Sequence, residues 1–297
     1  MTAPAAPIRH ISDTARWVAF YRAMESERPD AIFRDPFARR LAGEQGEAIV
    51  QAMPQGRQFA WPMIVRTAVM DEVILRAIAE DRVDCVLNLA AGLDARPWRL
   101  PLPASLLWVD VDLPVMLDHK ESTLQGETPR CRYEGIRLDL SDGPARRALF
   151  QRVSLQASRV LVVSEGLLVY LEPEAVAGLA RDLHAQPNFG LWLFDLGSPG
   201  LLQMLAKTWG NTLAAGNSPL KFAPAENTRF FEPFGFRERE YRPLFDESIR
   251  LKRTIRFARF WRFLGRFYPR KKREEFKRFS GVVLLERGTA STVSSEQ

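Results

Sequence analysis

The stretch Asn88-Leu89-Ala90-Ala91-Gly92-Leu93-Asp94 decides the fold of this 297-residue chain. It closes an apolar run over residues 85–90, broken only by Asn88, and opens into small residues. A short apolar run ending in a small-residue turn reads as a buried strand leaving a sheet toward a helix. Working outward, further strand-like runs lie at 106–111, 133–138, 160–164 and 191–195, and a last one at 281–286. Helical patterns fall between them at 114–124, 144–155 and 174–184. Apolar strands alternating with helices predict an α/β fold, a parallel sheet covered on both faces.

Upstream of the sheet the pattern is helical. Residues 1–8 are rich in Pro and Ala and predict no fixed structure. From Ser12 or Asp13, either of which can cap, Trp17, Phe20, Tyr21 and Met24 share one helix face. A longer helix is predicted over 62–80, with Ile64, Val65, Val69, Val73 and Ile74 on its apolar side. The chain thus divides into an N-terminal helical extension or lid, 1–80, and a main domain, 81–297. Within the main domain, residues 197–228 have weak periodicity and read as a flexible insertion on the substrate side.

In an open parallel sheet, ligands bind beyond the carboxyl ends of the strands. Ala90-Ala91-Gly92 is the first such exit. Small side chains let the backbone approach a ligand, and Gly92 can take a positive φ. Asp112 lies 20 residues after Gly92, at the end of the next strand. A carboxylate there accepts hydrogen bonds from a ribose diol. The turn lacks the GxGxxG pattern, since Ala90 stands at the first glycine position. Alone it fits an ordinary strand-to-helix turn as well as a nucleoside site. The first four strands each end near an acid: Asp94, Asp112, Asp139 and Glu165. Singly, each reads as a helix cap. Together at one rim they can hold ribose hydroxyls, an adenine amino group and a cationic ligand.

Composition narrows the class. With 46% apolar and 26% charged residues, the chain fits a soluble globular protein. No run approaches 18 apolar residues, and the first residues do not pattern as a secretory signal, so a cytoplasmic location is expected. Cys85 and Cys131 have neither metal nor redox spacing, and Cys85 reads as a small buried hydrophobe. His10, His119 and His184 are scattered, and no metal site is predicted.

The net charge of +6 is local in origin. Thirteen Lys/Arg and two Asp/Glu lie between Arg250 and Arg278, while the rest of the chain has 29 basic and 34 acidic residues. Phe257, Phe260, Trp261, Leu264, Phe267 and Tyr268 recur at helical spacing, with Arg256, Arg259, Arg266 and Arg270 on another face. This predicts a packed amphipathic helix with a solvated basic face. The alternatives are a nucleic-acid or membrane-surface helix, or attraction of an anionic or carrier-bound substrate. No nucleic-acid partner and no membrane span are expected, and the oligomeric state is not readable.

Several segments carry a family resemblance. They are Val65-Arg66-Thr67 with Asp71, residues 86–96, Val109-Asp110-Val111-Asp112-Leu113-Pro114, and Ser164-Glu165-Gly166-Leu167-Leu168-Val169-Tyr170-Leu171. Arg22-Ala23-Met24-Glu25-Ser26, Asp35-Pro36-Phe37-Ala38, Phe234-Gly235-Phe236 and residues 281–287 also fit. In combination, and over nearly the whole chain, this resembles the leucine carboxyl methyltransferase-like group of class I S-adenosylmethionine-dependent O-methyltransferases. Within it, the nearest likeness is to the bacterial branch that includes polyketide carboxyl O-methyltransferases.

The resemblance implies a Rossmann-like sheet, S-adenosyl-L-methionine as cofactor, and methylation of a small-molecule carboxylate or acidic hydroxyl. It implies that Arg66 pairs with the methionine carboxylate of the cofactor, a task suited to a planar guanidinium. Gly92 then admits the cofactor to the backbone, Asp112 holds the ribose, Asp139 and Leu140 flank the adenine, and Glu165 stands near the amine and the transfer centre. Ala90 replaces the usual glycine, and its methyl is tolerated if φ is negative there. Displacement at a sulfonium asks mainly for proximity, alignment and exclusion of water. No histidine reads as a general base, which leans toward an acceptor that is already acidic. Trp17, Tyr21 and Arg22 are candidates for a substrate lid, with core packing the rival role for the two aromatics. Trp209 and Phe222 are candidates to receive a flat polycyclic or lipid-like acid. A methyltransferase acting on protein C-termini or tRNA-related substrates, and a non-catalytic binding protein on the same fold, are the alternative functions.

Overall fold

The computed structural model describes residues 12–53, 55–215, 219–255, 257, 260, 262–263 and 267–288, without the side chains of Ser12 and 209–215. Seven strands form one sheet among these residues: β1 (Cys85–Leu89), β2 (Leu107–Asp112), β3 (Arg132–Arg137), β4 (Val160–Ser164), β5 (Phe189–Gly197), β6 (Phe236–Pro243) and β7 (Ser280–Arg287). Their spatial order is β3-β2-β1-β4-β5-β7-β6. The first five run parallel, as expected, with Leu87 of β1 in register with Val109 of β2 and Val162 of β4. The closing strand β7 runs antiparallel to both β5 and β6, which makes the sheet mixed at that edge.

Period-two alternation explains both cores. Leu87, Val109 and Val162 face α6 (Gly143–Gln156) and α7 (Pro173–His184). Val86, Trp108, Leu161 and Val163 face α3 (Ala60–Glu80). Covering both faces is what lets β1 and β4 be apolar throughout. A third cluster joins α1 (Ser12–Ser26) and α2 (Ala38–Ala52) to α4 (Arg96–Arg99) and α5 (Pro114–Thr123) through Phe20, Leu41, Trp98 and Met116. The N-terminal helices therefore belong to the folded body at the end of the sheet where β1 leaves it.

The segment read as a flexible insertion is structured in part. It contains α8 (Pro199–Ala215) and leads to a 3-10 stretch, Asn227–Phe234, whose Phe231 is buried against Trp192 and Phe194. A short α9 (Leu244–Arg250) and α10 (Arg270–Lys277) precede β7. Among the described residues of 250–278, the apolar face of the expected amphipathic helix is not packed: Phe257, Phe260, Phe263, Phe267 and Tyr268 are exposed, and α10 buries no residue. Arg256, Arg259, Trp261, Leu264 and Arg266 lie outside the described residues, as do residues 1–8 and His10. No helix among the described residues is long and apolar enough to cross a membrane.

Candidate active site

The chain passes from β1 outward to β2 and β3, then returns across the sheet to β4. Between β1 and β4 the winding reverses, and a crevice opens at the carboxyl ends of the strands. A cavity of about 1030 Å³ lies there. Its floor includes the turn after β1, and α1, α8 and the residues around Phe245 and Phe276 wall it.

The turn is tighter than expected. Ala90 has φ +53° and Gly92 φ +52°. The condition under which the Ala90 methyl is tolerated without strain, a negative φ, is thus not met; an L-residue bears a steric penalty in the left-handed region. Gly92 takes the same region freely and donates its N–H to Asp112 Oδ2 at 2.6 Å. Leu113 N–H donates to Asp112 Oδ1 at 2.7 Å. Burial nevertheless raises the Asp112 pKa, because these two bonds only partly replace lost water.

All four predicted rim acids line the cavity: Asp94, Asp112, Asp139 and Glu165. Asp139 accepts the Ser141 N–H at 2.8 Å, and the Leu140 carbonyl accepts from Arg146 at 2.6 Å, which fixes the turn after β3. Asp195 of β5 is a fifth acid on the wall. The predicted strand over 191–195 ended on it, so the rule that exposed the other four reaches it too.

Arg66 stands between the last two acids. Its Nε donates to Glu165 at 3.0 Å and its Nη1 to Asp195 at 3.1 Å, while Asp195 also accepts the Gly166 N–H at 2.6 Å. Gly166 has φ +66°, and a Cβ there would approach the guanidinium at 3.5 Å. Behind Arg66 lies a residue that sequence reasoning quoted but gave no role. Arg96, 2% exposed, bonds Asp71 at 2.6 Å, Asp94 at 2.7 Å and Glu165 at 2.8 Å. Asp71 also binds Arg99, whose Nε lies 3.8 Å from Asp35. Asp35 in turn holds Arg22 at 2.9 Å. Four arginines and five carboxylates so form one chain of contacts, from α1 to the strand ends. Burial alone would raise the Glu165 pKa, but Arg96 and Arg66 outweigh it and hold the carboxyl below its ordinary range. Asp94 is likewise depressed, by Arg96 and Lys120 against burial.

The three lid candidates separate. Trp17 and Arg22 line the cavity, and Arg22 Nη2 donates to the Leu93 carbonyl of the turn. Tyr21 is fully buried away from the cavity wall, and its hydroxyl donates to the Gly56 carbonyl at 2.5 Å; that position is a packing one. Burial pushes its pKa up to about 12. Phe222 lines the cavity, whereas the side chain of Trp209 lies outside the described residues. His184 packs edge-on against Phe236, and His119 Nε2 lies 3.3 Å from the Leu41 carbonyl; neither lines the cavity. Cys85 and Cys131 are buried free thiols, Cys85 with its pKa raised by burial to about 12.

A leucine carboxyl methyltransferase family model matches residues 15–184, more than half of the chain. The chain belongs to the leucine carboxyl methyltransferase family. A provisionally named S-adenosyl-L-methionine-dependent methyltransferase of Streptomyces coelicolor is 34% identical over 208 residues, covering 65% of this chain and 71% of that protein. Provisionally named relatives from Parafrankia sp. and Mycobacteroides abscessus are 37% and 34% identical, and the matches span 58% and 61% of those proteins' lengths. In three dimensions, a DUF574 family protein from Streptomyces avermitilis matches 95% of this chain and 98% of its own, with a TM-score of 0.59 at 14% identity. That likeness concerns the fold alone, and it takes in nearly the whole chain, including the part past residue 184. The leucine carboxyl methyltransferase motifs converge on the cavity: residues around Arg66, the turn after β1, Asp112, and the segment from Glu165 to Tyr170 all reach it.

Proposed function

We propose that the chain is an S-adenosyl-L-methionine-dependent methyltransferase acting on a carboxylate, or an already acidic hydroxyl, of a small and largely apolar molecule. The observation that carries this reading is the placement of Arg66. It faces the cavity while held by Glu165 and Asp195, beside a turn whose Gly92 N–H is tied to Asp112.

The residues suit such a cofactor. The linked network has one more carboxylate than guanidinium, which favours a ligand of net positive charge. Two of the five Arg66 N–H groups are engaged, so others remain for a carboxylate. Each Asp112 oxygen accepts one backbone N–H and keeps a lone pair for a ribose hydroxyl. Asp139 and Leu140 line the same wall, where an adenine would lie, and Glu165 is kept ionised to face an amine. When bound, S-adenosyl-L-methionine supplies a methyl group already activated by its positive sulfur.

What the chain adds is alignment and dryness. Trp17, Leu202, Met204, Leu205 and Phe222 line the side walls and would exclude water from the acceptor. Neither His119 nor His184 reaches the cavity, Glu165 is locked in ion pairs, and burial raises the Tyr170 hydroxyl. That setting suits an acceptor ionised before it arrives, and hence a carboxylate over a weakly acidic phenol. A natural-product acid is the favoured acceptor, on the sequence likeness to polyketide carboxyl O-methyltransferases.

Titration calorimetry tests the cofactor: S-adenosyl-L-methionine or its demethylated product binds, and Asp112→Ala weakens binding by roughly tenfold to a hundredfold, as loss of a charged acceptor does. Absence of binding by both compounds, or a variant equal to wild type, would remove the assignment. Transfer of labelled methyl to small acids, followed by alkali or esterase, tests the acceptor: a labile product marks an ester, a stable one rejects it.

A further inference from the structure

Apart from Ile255, Phe276 and Phe279, the described residues of the basic, aromatic stretch ahead of β7 do not line the cavity, and the exposure of its rings is at odds with internal packing. Phe263, Phe267 and Tyr268 are 52%, 74% and 60% exposed. In α10, the side chains of Arg270, Lys271, Lys272 and Arg273 make no ion pair among the described residues, although arginines elsewhere on the surface pair repeatedly. These four cations fill the first turn of a helix, the end whose dipole is itself positive. The arrangement disfavours the isolated chain and favours an external anionic surface.

The position of the patch narrows that surface. Ile255 and Phe276 are 45% and 56% exposed, and both line the cavity, so they stand at its mouth. Phe276 is in α10 itself and contacts Phe245 and Phe279, two further cavity residues. Ile255 and Phe276 thus border an apolar opening, and the unpaired cations of α10 lie in the same helix as Phe276. A polyanion in water would satisfy the cations and leave Ile255, Phe263 and Phe267 wet. A bilayer with anionic headgroups satisfies both, with cations at the headgroups and rings at the acyl boundary.

We propose that Ile255, Phe263, Phe267, Tyr268 and the cations of α10 dock the chain on an anionic lipid bilayer, with the cavity mouth against the membrane surface. The surface property stands apart from the chemistry of the cavity. Its use, entry of an amphiphilic acid from the membrane, rests on the methyl-transfer reading.

Co-sedimentation of the full chain with phosphatidylglycerol/phosphatidylcholine vesicles tests the docking without reference to activity. The chain pellets with anionic vesicles at low salt, binds pure phosphatidylcholine far less, and is largely released at about 0.5 M salt. Each cation near such a surface contributes about a fivefold gain in partitioning, so Lys271→Gln with Lys272→Gln lowers it about 25-fold. Phe263→Ser with Phe267→Ser lowers it roughly tenfold while leaving the thermal midpoint unchanged, since neither ring is buried. No pelleting with anionic vesicles at low salt overturns the proposal. So does equal pelleting of both double variants and wild type, or retention on an acidic protein or polynucleotide without vesicle binding. Vesicle binding in a chain that fails to bind S-adenosyl-L-methionine would sustain the docking and remove the methyl-transfer reading alone.

Discussion

Ala90 holds a φ of +53° in the turn that approaches the proposed cofactor, a conformation that glycine adopts freely. An alanine in the left-handed region costs roughly 1–2 kcal/mol, and glycine there costs nothing steric but adds freedom to the unfolded chain. The two effects oppose, and the steric one is larger. Ala90→Gly is therefore expected to stabilise the chain by about 0.5–1 kcal/mol, read as a rise of roughly 2 °C in the thermal midpoint. A fall would contradict the left-handed turn. The same residue shows where sequence reading reaches its limit. The turn and its four acids were legible because strand ends and acids are local in sequence. The sign of φ at Ala90 was not, because it is set by how β1 hands over to the network behind it. Arg96 was also silent: its three carboxylate partners lie 2, 25 and 69 residues away, and no local pattern announces a buried hub.

At the level of elements, apolar strands and the helices between them were read to within a few residues, and β6 was not read at all. Its sequence, Phe-Arg-Glu-Arg-Glu-Tyr-Arg-Pro, carries charge on both faces. An edge strand needs no continuous apolar run, and charge there discourages pairing with other chains. Its side chains find partners on other elements instead, Arg239 with Asp81, Arg242 with Glu72 and Glu247, and Glu238 with Arg278. Helix α1 depends on a similar long-range tie. Glu25, fully buried, accepts from Arg253 at 2.8 Å, and Arg253 also reaches Asp30. Truncating one member of a buried pair leaves the other charged in a dry site, at a cost of about 3–5 kcal/mol. Arg253→Met is expected to lose about that much in urea unfolding, and Glu25→Met with Arg253→Met to recover most of it. Additive losses in the double variant would mean that the pair is not the tie holding α1.

The whole molecule should be sensitive to acid through the network that joins α1 to the strand ends. Glu165 and Asp94 both have folded pKa values below their ordinary values of 4.5 and 3.8. The folded state therefore holds these two protons less tightly than the unfolded chain. Their contribution is complete above about pH 5 and declines as pH falls through the ordinary values toward the depressed folded ones. Each group adds at most about 1.4 kcal/mol per pH unit to the slope while it titrates. Asp112 works in the opposite sense: its pKa is raised by burial, so ionising it between the ordinary and folded values slightly destabilises the fold as pH rises. With two depressed groups against one raised, stability measured by urea unfolding is expected to fall as pH drops from 5 to 3. Glu165→Gln should start lower at pH 7, because Arg66 and Arg96 lose a charge partner, and should show a shallower slope. A variant with the wild-type slope would mean that Glu165 does not titrate with folding, and the ion pairs drawn around Arg66 would have to be looser than their distances state. The same experiment separates binding from folding. Saturating S-adenosyl-L-methionine, at about a hundred times its dissociation constant, adds about 2.7 kcal/mol if it binds only the folded chain. Because Glu165 and Asp94 stay ionised in the folded chain below their ordinary pKa values, that increment, at a fixed ligand concentration, should change little from pH 7 to pH 5 even where the slope begins. An increment already lost between pH 7 and pH 5 would mean that a group other than these two carboxylates governs binding of the cofactor.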